Sequence, residues 1–278
     1  MSSSDSERIK MVNGNYVIDA HCHIYPEKIA AKAVGGTDRF YNSTSAHLGT
    51  LDDLLLRAKS ANIDHCIVQS VATSPKQVKS INEFIAESVK TRPNFLTGLG
   101  TLHPDSADIK GDLEHLIELG LKGVKLHPDI QQFKIDDWRC LKIYELCEKN
   151  NLPVLMHTGD YRYDFSNPNR LLPVLKIYKS LTVIGAHFGG WSIWEKACEQ
   201  LAGIPNFYVD CSSSLPYLES QTAKELIRRY GAEHVLFGTD YPMWNVKEEL
   251  RRFLDLGLDE AENKSILSVN AKKIFHLE

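Results

Sequence analysis

Eight short runs rich in β-branched and aromatic residues recur along this chain, and each is followed by a stretch with helical spacing. The runs are YVIDAHCHI (16–24), IDHCIVQSVA (63–72), FLTGLGTL (95–102), LKGVKLH (121–127), PVLMH (153–157), LTVIGAH (181–187), NFYVDCS (206–212) and HVLFGTD (234–240). Parallel strands cannot be joined by tight turns; they need a crossover, normally a helix. Eight such strand–helix units are what a closed parallel barrel requires. The expected fold is therefore α/β, a (β/α)8 TIM barrel in one domain over residues 1–278, with residues 1–14 flexible. A doubly wound open sheet is the structural alternative.

Local punctuation supports the alternation. Asp105 stands where it can cap the third helix and Asp136 the fourth, while Gly120 and Gly231 follow helix ends. Residues 25–49 carry Gly35-Gly36, Tyr41 and His47 with no clear helical period. They read either as a lid over the site or as an irregular insertion.

Composition acts mainly by exclusion. The formal net charge is −4 and no Lys/Arg run offsets it, so the chain lacks the basic footprint of a nucleic-acid or anionic-membrane partner. No uncharged apolar run is long enough to cross a bilayer. The polar start MSSSDSERIKMV lacks the apolar core of a signal peptide. The six cysteines form no CxxC pair and read as buried free thiols in a reducing compartment. A cytoplasmic protein with a small-molecule substrate is expected, and a homo-oligomer is left open.

Where the histidines fall is more telling than their number. His21 and His23 end the first strand, His103 the third, His127 the fourth, His157 the fifth and His187 the sixth, while Asp240 ends the eighth. In a barrel of this kind the chemistry sits at the C-terminal ends of the strands. Strand alternation puts His21 and His23 on one face and Cys22 on the other. Asp19, counted the same way, shares the histidine face one layer deeper and suits an acceptor orienting a ligand histidine. Zn²⁺ takes imidazole nitrogens and carboxylate oxygens, and a catalytic site leaves a position for water. His21, His23, His157 and Asp240 supply three nitrogens and one oxygen, and His187 can face the same water.

The set DAHCHIYP, GVKLHPD, LMHTGD, GAHFGG, LFGTDYP and NAKKIF resembles the amidohydrolase superfamily. Within it the chain is similar to the amidohydrolase-2 branch, which includes aminocarboxymuconate-semialdehyde decarboxylase and related aromatic-acid decarboxylases, hydratases and hydrolases. The resemblance runs from the first strand to the last helix. It implies one divalent metal, zinc ahead of manganese, held by His21, His23, His157 and Asp240, with His187 as the catalytic histidine beside a metal-bound water. Binuclear members of the wider superfamily bridge two metals through a carboxylated lysine or a glutamate at strand four. Lys125 is therefore either such a bridge or, with His127, part of the pocket.

The resulting expectation is a metal-dependent hydrolase. Metal-activated water would attack a small carbonyl-containing, carboxylated substrate, Asp240 would shuttle the proton, and His187 would stabilise the oxyanion. Substrate contacts are expected from Lys125, His127, Trp191, His103 and Arg162. Arg162 reads equally as a carboxylate grip or as a solvated loop charge. Nonhydrolytic decarboxylation uses the same ligands and is the first alternative. A catalytically silent metal-binding barrel is the second. A related metal-dependent deoxyribonuclease would carry glutamate at the end of strand four, where this chain has LHP.

Overall fold

The computed structural model describes residues 14–278. The flexibility expected of residues 1–14 falls almost wholly outside them. Eight parallel strands follow one another around a barrel. They are β1 (Ile18–His23), β2 (His65–Gln69), β3 (Leu96–Gly98, resumed after Leu99 as Gly100–Thr101) and β4 (Val124–Leu126). Then come β5 (Val154–Met156), β6 (Val183–Gly185), β7 (Phe207–Asp210) and β8 (Val235–Leu236). Each strand pairs with its neighbour in chain order, as parallel strands joined by helical crossovers do. The ring closes where Ala20 N donates to Phe237 O at 2.9 Å and Cys22 bridges Tyr241. That is the expected TIM barrel.

Two apolar layers hold it. Inside, Ile18, Ile67, Leu99, Leu155, Ile184 and Leu236 fill the barrel, and Ile274 and Phe275 of the last helix (Asn270–Phe275) close its floor. Outside, the strands bury Val17, Cys22, Cys66, Val68 and their equivalents under the helices. Fully burying an aliphatic side chain contributes about 1.5–3 kcal/mol. All six cysteines are buried free thiols. Among the described residues no helix is long and apolar enough to cross a membrane.

One irregularity changes the reading of β1. Its register with β2 shifts between Asp19 and Cys22. A bulge inserts a residue and resets the alternation of faces. Ile18 and Ala20 therefore point into the barrel, yet His21 and His23 also point to the mouth while Cys22 packs outward. Asp19 consequently leaves the histidine face. Its carboxylate instead accepts from Thr239 N at 2.9 Å, Thr239 Oγ1 at 2.6 Å and His21 N at 3.2 Å, tying β1 to the chain after β8.

Residues 25–49 contain a helix that the sequence reading missed: α1 (Glu27–Tyr41), with Ala30 and Val34 buried against the barrel. Two caps also differ from expectation by a few residues. Asp108, not Asp105, caps the helix Ile109–Glu118, and Asp137, not Asp136, caps Trp138–Lys149. The displaced pair serve as ion-pair partners, Asp105 for Arg139 and Asp136 for Arg170. Gly120 and Gly231 take the positive φ expected past helix ends.

Candidate metal centre

Three acceptor atoms meet where β1 and β8 end. His21 Nε2 lies 3.1 Å from His23 Nε2 and 3.3 Å from Asp240 Oδ1, and His23 Nε2 lies 3.4 Å from that oxygen. The far side explains the aim of two of these groups, while His23 Nδ1 is buried without a partner among the described residues. His21 Nδ1 donates to Asp210 Oδ2 at 2.9 Å, so Nε2 bears the lone pair. Asp240 Oδ2 accepts from Ser213 Oγ at 2.5 Å, which leaves Oδ1 turned toward the imidazoles. Ligands at the ~2.0–2.1 Å bond lengths of a tetrahedral zinc site stand about 3.3–3.4 Å apart. The observed spacings match donors sharing one cation, and the donor types suit a divalent one.

The electrostatics agree with the geometry. Burial alone would raise the Asp240 carboxyl, but His21, His23 and His187 hold it far below the usual carboxylate range. Asp210 is buried too and is held low by His21 and His187. Burial, helped by Lys125, presses His21 down to about 4, so its ring is neutral near pH 7. Two of the site's residues also sit in the left-handed backbone region, His187 at φ 61° and Asp240 at φ 58°. Such conformations cost of order 1–3 kcal/mol each and concentrate at functional sites.

One step round the rim, His157 and His187 face each other. His187 Nδ1 donates to Ser212 O at 3.0 Å, leaving Nε2 3.1 Å from His157 Nδ1. His157 Nε2 donates to Gly159 O at 3.1 Å, so its Nδ1 is a lone pair as well. Two facing lone pairs are reconciled by a proton or a metal between them. Gly159 makes this corner possible: at φ +75°, a Cβ there would lie 2.4 Å from Gly190 Cα. His21 stacks on His187 with centroids 5.3 Å apart, joining the pair to the first group.

The four ligands expected from the sequence are therefore not equivalent. His21, His23 and Asp240 form one tight group, whereas His157 groups with His127 and Asp129 and reaches the first set through His187. His127 stacks flat on His157 at 4.1 Å, accepts from Ile130 N through Nδ1, and meets the Tyr41 hydroxyl at 2.9 Å through Nε2. Asp129 Oδ2 accepts from Ser166 Oγ at 2.5 Å and lies 3.6 Å from His157 Nε2. Its Oδ1 has no partner among the described residues, and burial pushes the carboxyl up to about 7.

Above these groups is a cavity of about 670 Å³. Helix α1 forms part of its ceiling, and Phe40, Tyr41, Trp191, Tyr217 and Trp244 give it aromatic walls. Lys125 and His127 also line it; the Lys125 Nζ sits 3.0 Å from His21 Nε2, and burial pushes its ammonium down to about 8. Two expected contacts are used otherwise. Arg162 does not line the cavity: it grips Asp160 at 2.7 Å, donates to Phe40 O and lies among the rings of Phe40, Tyr41, Tyr163 and Trp191. Bidentate on that carboxylate, the arginine pins the end of α1. His103 is likewise outside the lining, accepting from Asp105 N at 3.2 Å in the turn after β3. Asp210 was missed by sequence reasoning. The signal available was an aspartate in YVDCS at the end of the seventh strand, on the rim already populated by histidines.

Comparison with known proteins fits this picture. The sequence model described as Amidohydrolase matches residues 18–277. A 2-amino-3-carboxymuconate-6-semialdehyde decarboxylase of Dictyostelium discoideum is 26% identical over 202 residues, covering 58% of this chain. The match spans 55% of that relative's length. Among solved structures, an uncharacterised TIM-barrel protein from Bordetella bronchiseptica superposes with a TM-score of 0.79 at 22% identity, covering 94% of this chain and 99% of the other. A 5-carboxyvanillate decarboxylase from Novosphingobium aromaticivorans, complexed with manganese and 4-hydroxy-3-methoxy-5-nitrobenzoic acid, gives 0.74 at 17% identity over 95% and 97%. At these identities the structural likeness speaks for the barrel alone. The sequence match is nearly chain-long, and by it this chain belongs to the amidohydrolase family.

Proposed function

We propose that this chain is a divalent-metal-dependent enzyme that removes CO₂ from a small carboxylated substrate. In this reading His21, His23, His157 and Asp240 hold the metal and His187 is the catalytic histidine. One observation carries it: His21 Nε2, His23 Nε2 and Asp240 Oδ1 converge at 3.1 to 3.4 Å beneath an aromatic-walled cavity. Sequence alone ranks hydrolysis first. Support for carbon–carbon cleavage comes from the relatives, since the Dictyostelium protein and the manganese-bound structure are both decarboxylases. That manganese complex also supports manganese beside zinc as the ion.

A divalent ion here would supply the positive charge that anchors a substrate oxygen and acidifies a bound water. The protein's own groups do the rest. Asp210 fixes the tautomer of His21 and Ser212 fixes that of His187, whose Nε2 is left free to take and return a proton. As the bond to the carboxylate breaks, CO₂ leaves, the electron pair stays on carbon, and protonated His187 delivers a proton to it. The aromatic walls keep water from competing. Lys125, His127 and Trp191 are the substrate-facing residues. Hydrolysis stays as a second reading because Asp240 is held as an anion and suits the orientation of an attacking water. The buried free thiols favour a cytoplasmic setting, and a homo-oligomer is compatible with the fold.

The test is CO₂ release by manganese- or zinc-loaded protein across a panel of aromatic and enol acids, beside ester, lactone and amide cleavage. CO₂ release that disappears in His187→Asn supports the proposal. Cleavage without CO₂ assigns the hydrolase. A protein that takes up no metal and turns over nothing is the silent barrel.

A further inference from the structure

The ceiling of the cavity carries positive charge that the proposed reaction does not use. Lys32 and Arg39 both line the cavity from α1, seven residues apart, so they share one face of the helix. Among the described residues no carboxylate comes within ion-pair distance of either: the salt bridges of neighbouring elements go elsewhere, and Asp38 is taken by Ser45. Between the two cations lies Gly35-Gly36. Glycine inside a helix costs about 0.8–1 kcal/mol relative to alanine, so a pair calls for a reason. The geometry gives one. The Arg39 guanidinium folds back along the bare stretch, with Nη1 3.5 Å from where a Gly35 Cβ would stand and Nη2 3.9 Å from that of Gly36. Arg39 is thereby laid back along the side of α1 that carries Lys32, and the two exposed cations flank a stretch of rim, a floor without side chains at Gly35 and Gly36.

We infer that Lys32, Arg39 and the Gly35-Gly36 floor form a binding site for a second anionic group on the substrate. This rests on the proposed function and narrows its substrate class. The substrate is an acid with two anionic ends joined by an apolar body: one end goes to the histidine cluster, the body lies against the aromatic walls, and the other end meets α1. The cavity's size agrees, since about 670 Å³ falls in the range of pockets that enclose drug-sized ligands and exceeds the needs of a single-ring acid. Carboxylate and phosphate share the required chemistry, because guanidinium and ammonium groups bind both.

The experiment measures binding to manganese-loaded protein by calorimetry at low salt. The probes are α,ω-dicarboxylates of six to twelve carbons, the matched monocarboxylates, and the matched ω-phosphono acids. At one chain length the dianion should bind about tenfold more tightly than the monoacid, the gain expected of one well-made charge-assisted contact. That preference should shrink in 0.5 M salt and fall below twofold in Lys32→Gln/Arg39→Gln. Gly36→Ala, which favours the helix, should also reduce it by filling the floor. The phosphono series decides which anion fits better. Equal binding of mono- and dianions by the wild type, or a preference retained in the double variant, overturns the inference and leaves the proposed function standing. Failure of every acid to bind metal-loaded protein overturns both.

Discussion

The two halves of the barrel mouth hold their carboxylates in opposite ways. On the side of β1, β7 and β8, Asp210 and Asp240 are buried among His21, His23 and His187, which keep them ionised. On the side of β4 and β5, Asp129 is just as buried, yet its partners are a serine hydroxyl and a histidine already bonded to a carbonyl, and its carboxyl rises to about 7. Burial is common to both halves; the number of positive or donating neighbours decides which charge survives. In the proposed function the first half supplies three of the cation's four ligands, and the second supplies His157. The second holds rings in place, stacking His127 on His157 beneath Tyr41.

The sharpest way to break this contrast is to remove the anion from the first half. Asp240→Ala should abolish metal retention and turnover together, read as metal content after dialysis beside CO₂ release. His187→Asn should lower turnover by at least about a thousandfold, the scale of losing an acid–base group and its electrostatic help. Metal content should stay near one ion per chain, because the proposed ligand set does not include His187. Normal turnover in that variant would remove His187 from the mechanism.

Asp210→Asn tests support of a ligand rather than the ligand itself. Losing the charge behind His21 should weaken metal affinity by about 10–100-fold, as removal of such supporting partners typically does. Unchanged affinity would leave the Asp210–His21 contact a packing feature.

The smallest effect is expected from Asp129, and it appears as a pH dependence. Its carboxyl moves from the ordinary 3.8 up to about 7 on folding, so the folded chain holds this proton where the unfolded chain has released it. Stability from this group is present below pH 4 and is lost as pH rises from about 4 to 7. About three units at 1.36 kcal/mol each puts the loss at no more than ~4 kcal/mol. Asp210 and Asp240 have the opposite sign, their depressed values costing stability only as pH falls into the acid range. In metal-free protein, thermal melts should therefore show the stability of wild type relative to Asp129→Asn falling as pH rises from about 4 to 7. From that difference Asp19 and Glu249, raised like Asp129, and the buried histidines, lowered and opposite in sign, cancel. A difference that stays constant with pH would place the titration elsewhere.

Much of this was legible from residue order. Histidines ending strands one, four, five and six, and an aspartate ending strand eight, mark a rim because strand ends can be counted from apolar runs. What stayed hidden has definite causes. Face counting assumes an even pleat, and the register shift after Asp19 moved that carboxylate off the histidine face and left the task to Asp210. The helix α1 was obscured because Gly35-Gly36 interrupts its period, the same feature that bares its floor. Arg162 looked available because its partner Asp160, two residues away, is turned back onto it by the loop after β5. Cap positions slipped because an aspartate can cap or pair, and only the fold determines which.

The most direct measurement is an anomalous-difference map of crystals grown with manganese. A single peak within coordination distance of His21 Nε2, His23 Nε2 and an Asp240 oxygen, close to His157 Nδ1, is the predicted result. No peak at the mouth, or one seated on Asp129 and His127 with the β1 histidines unliganded, would contradict it.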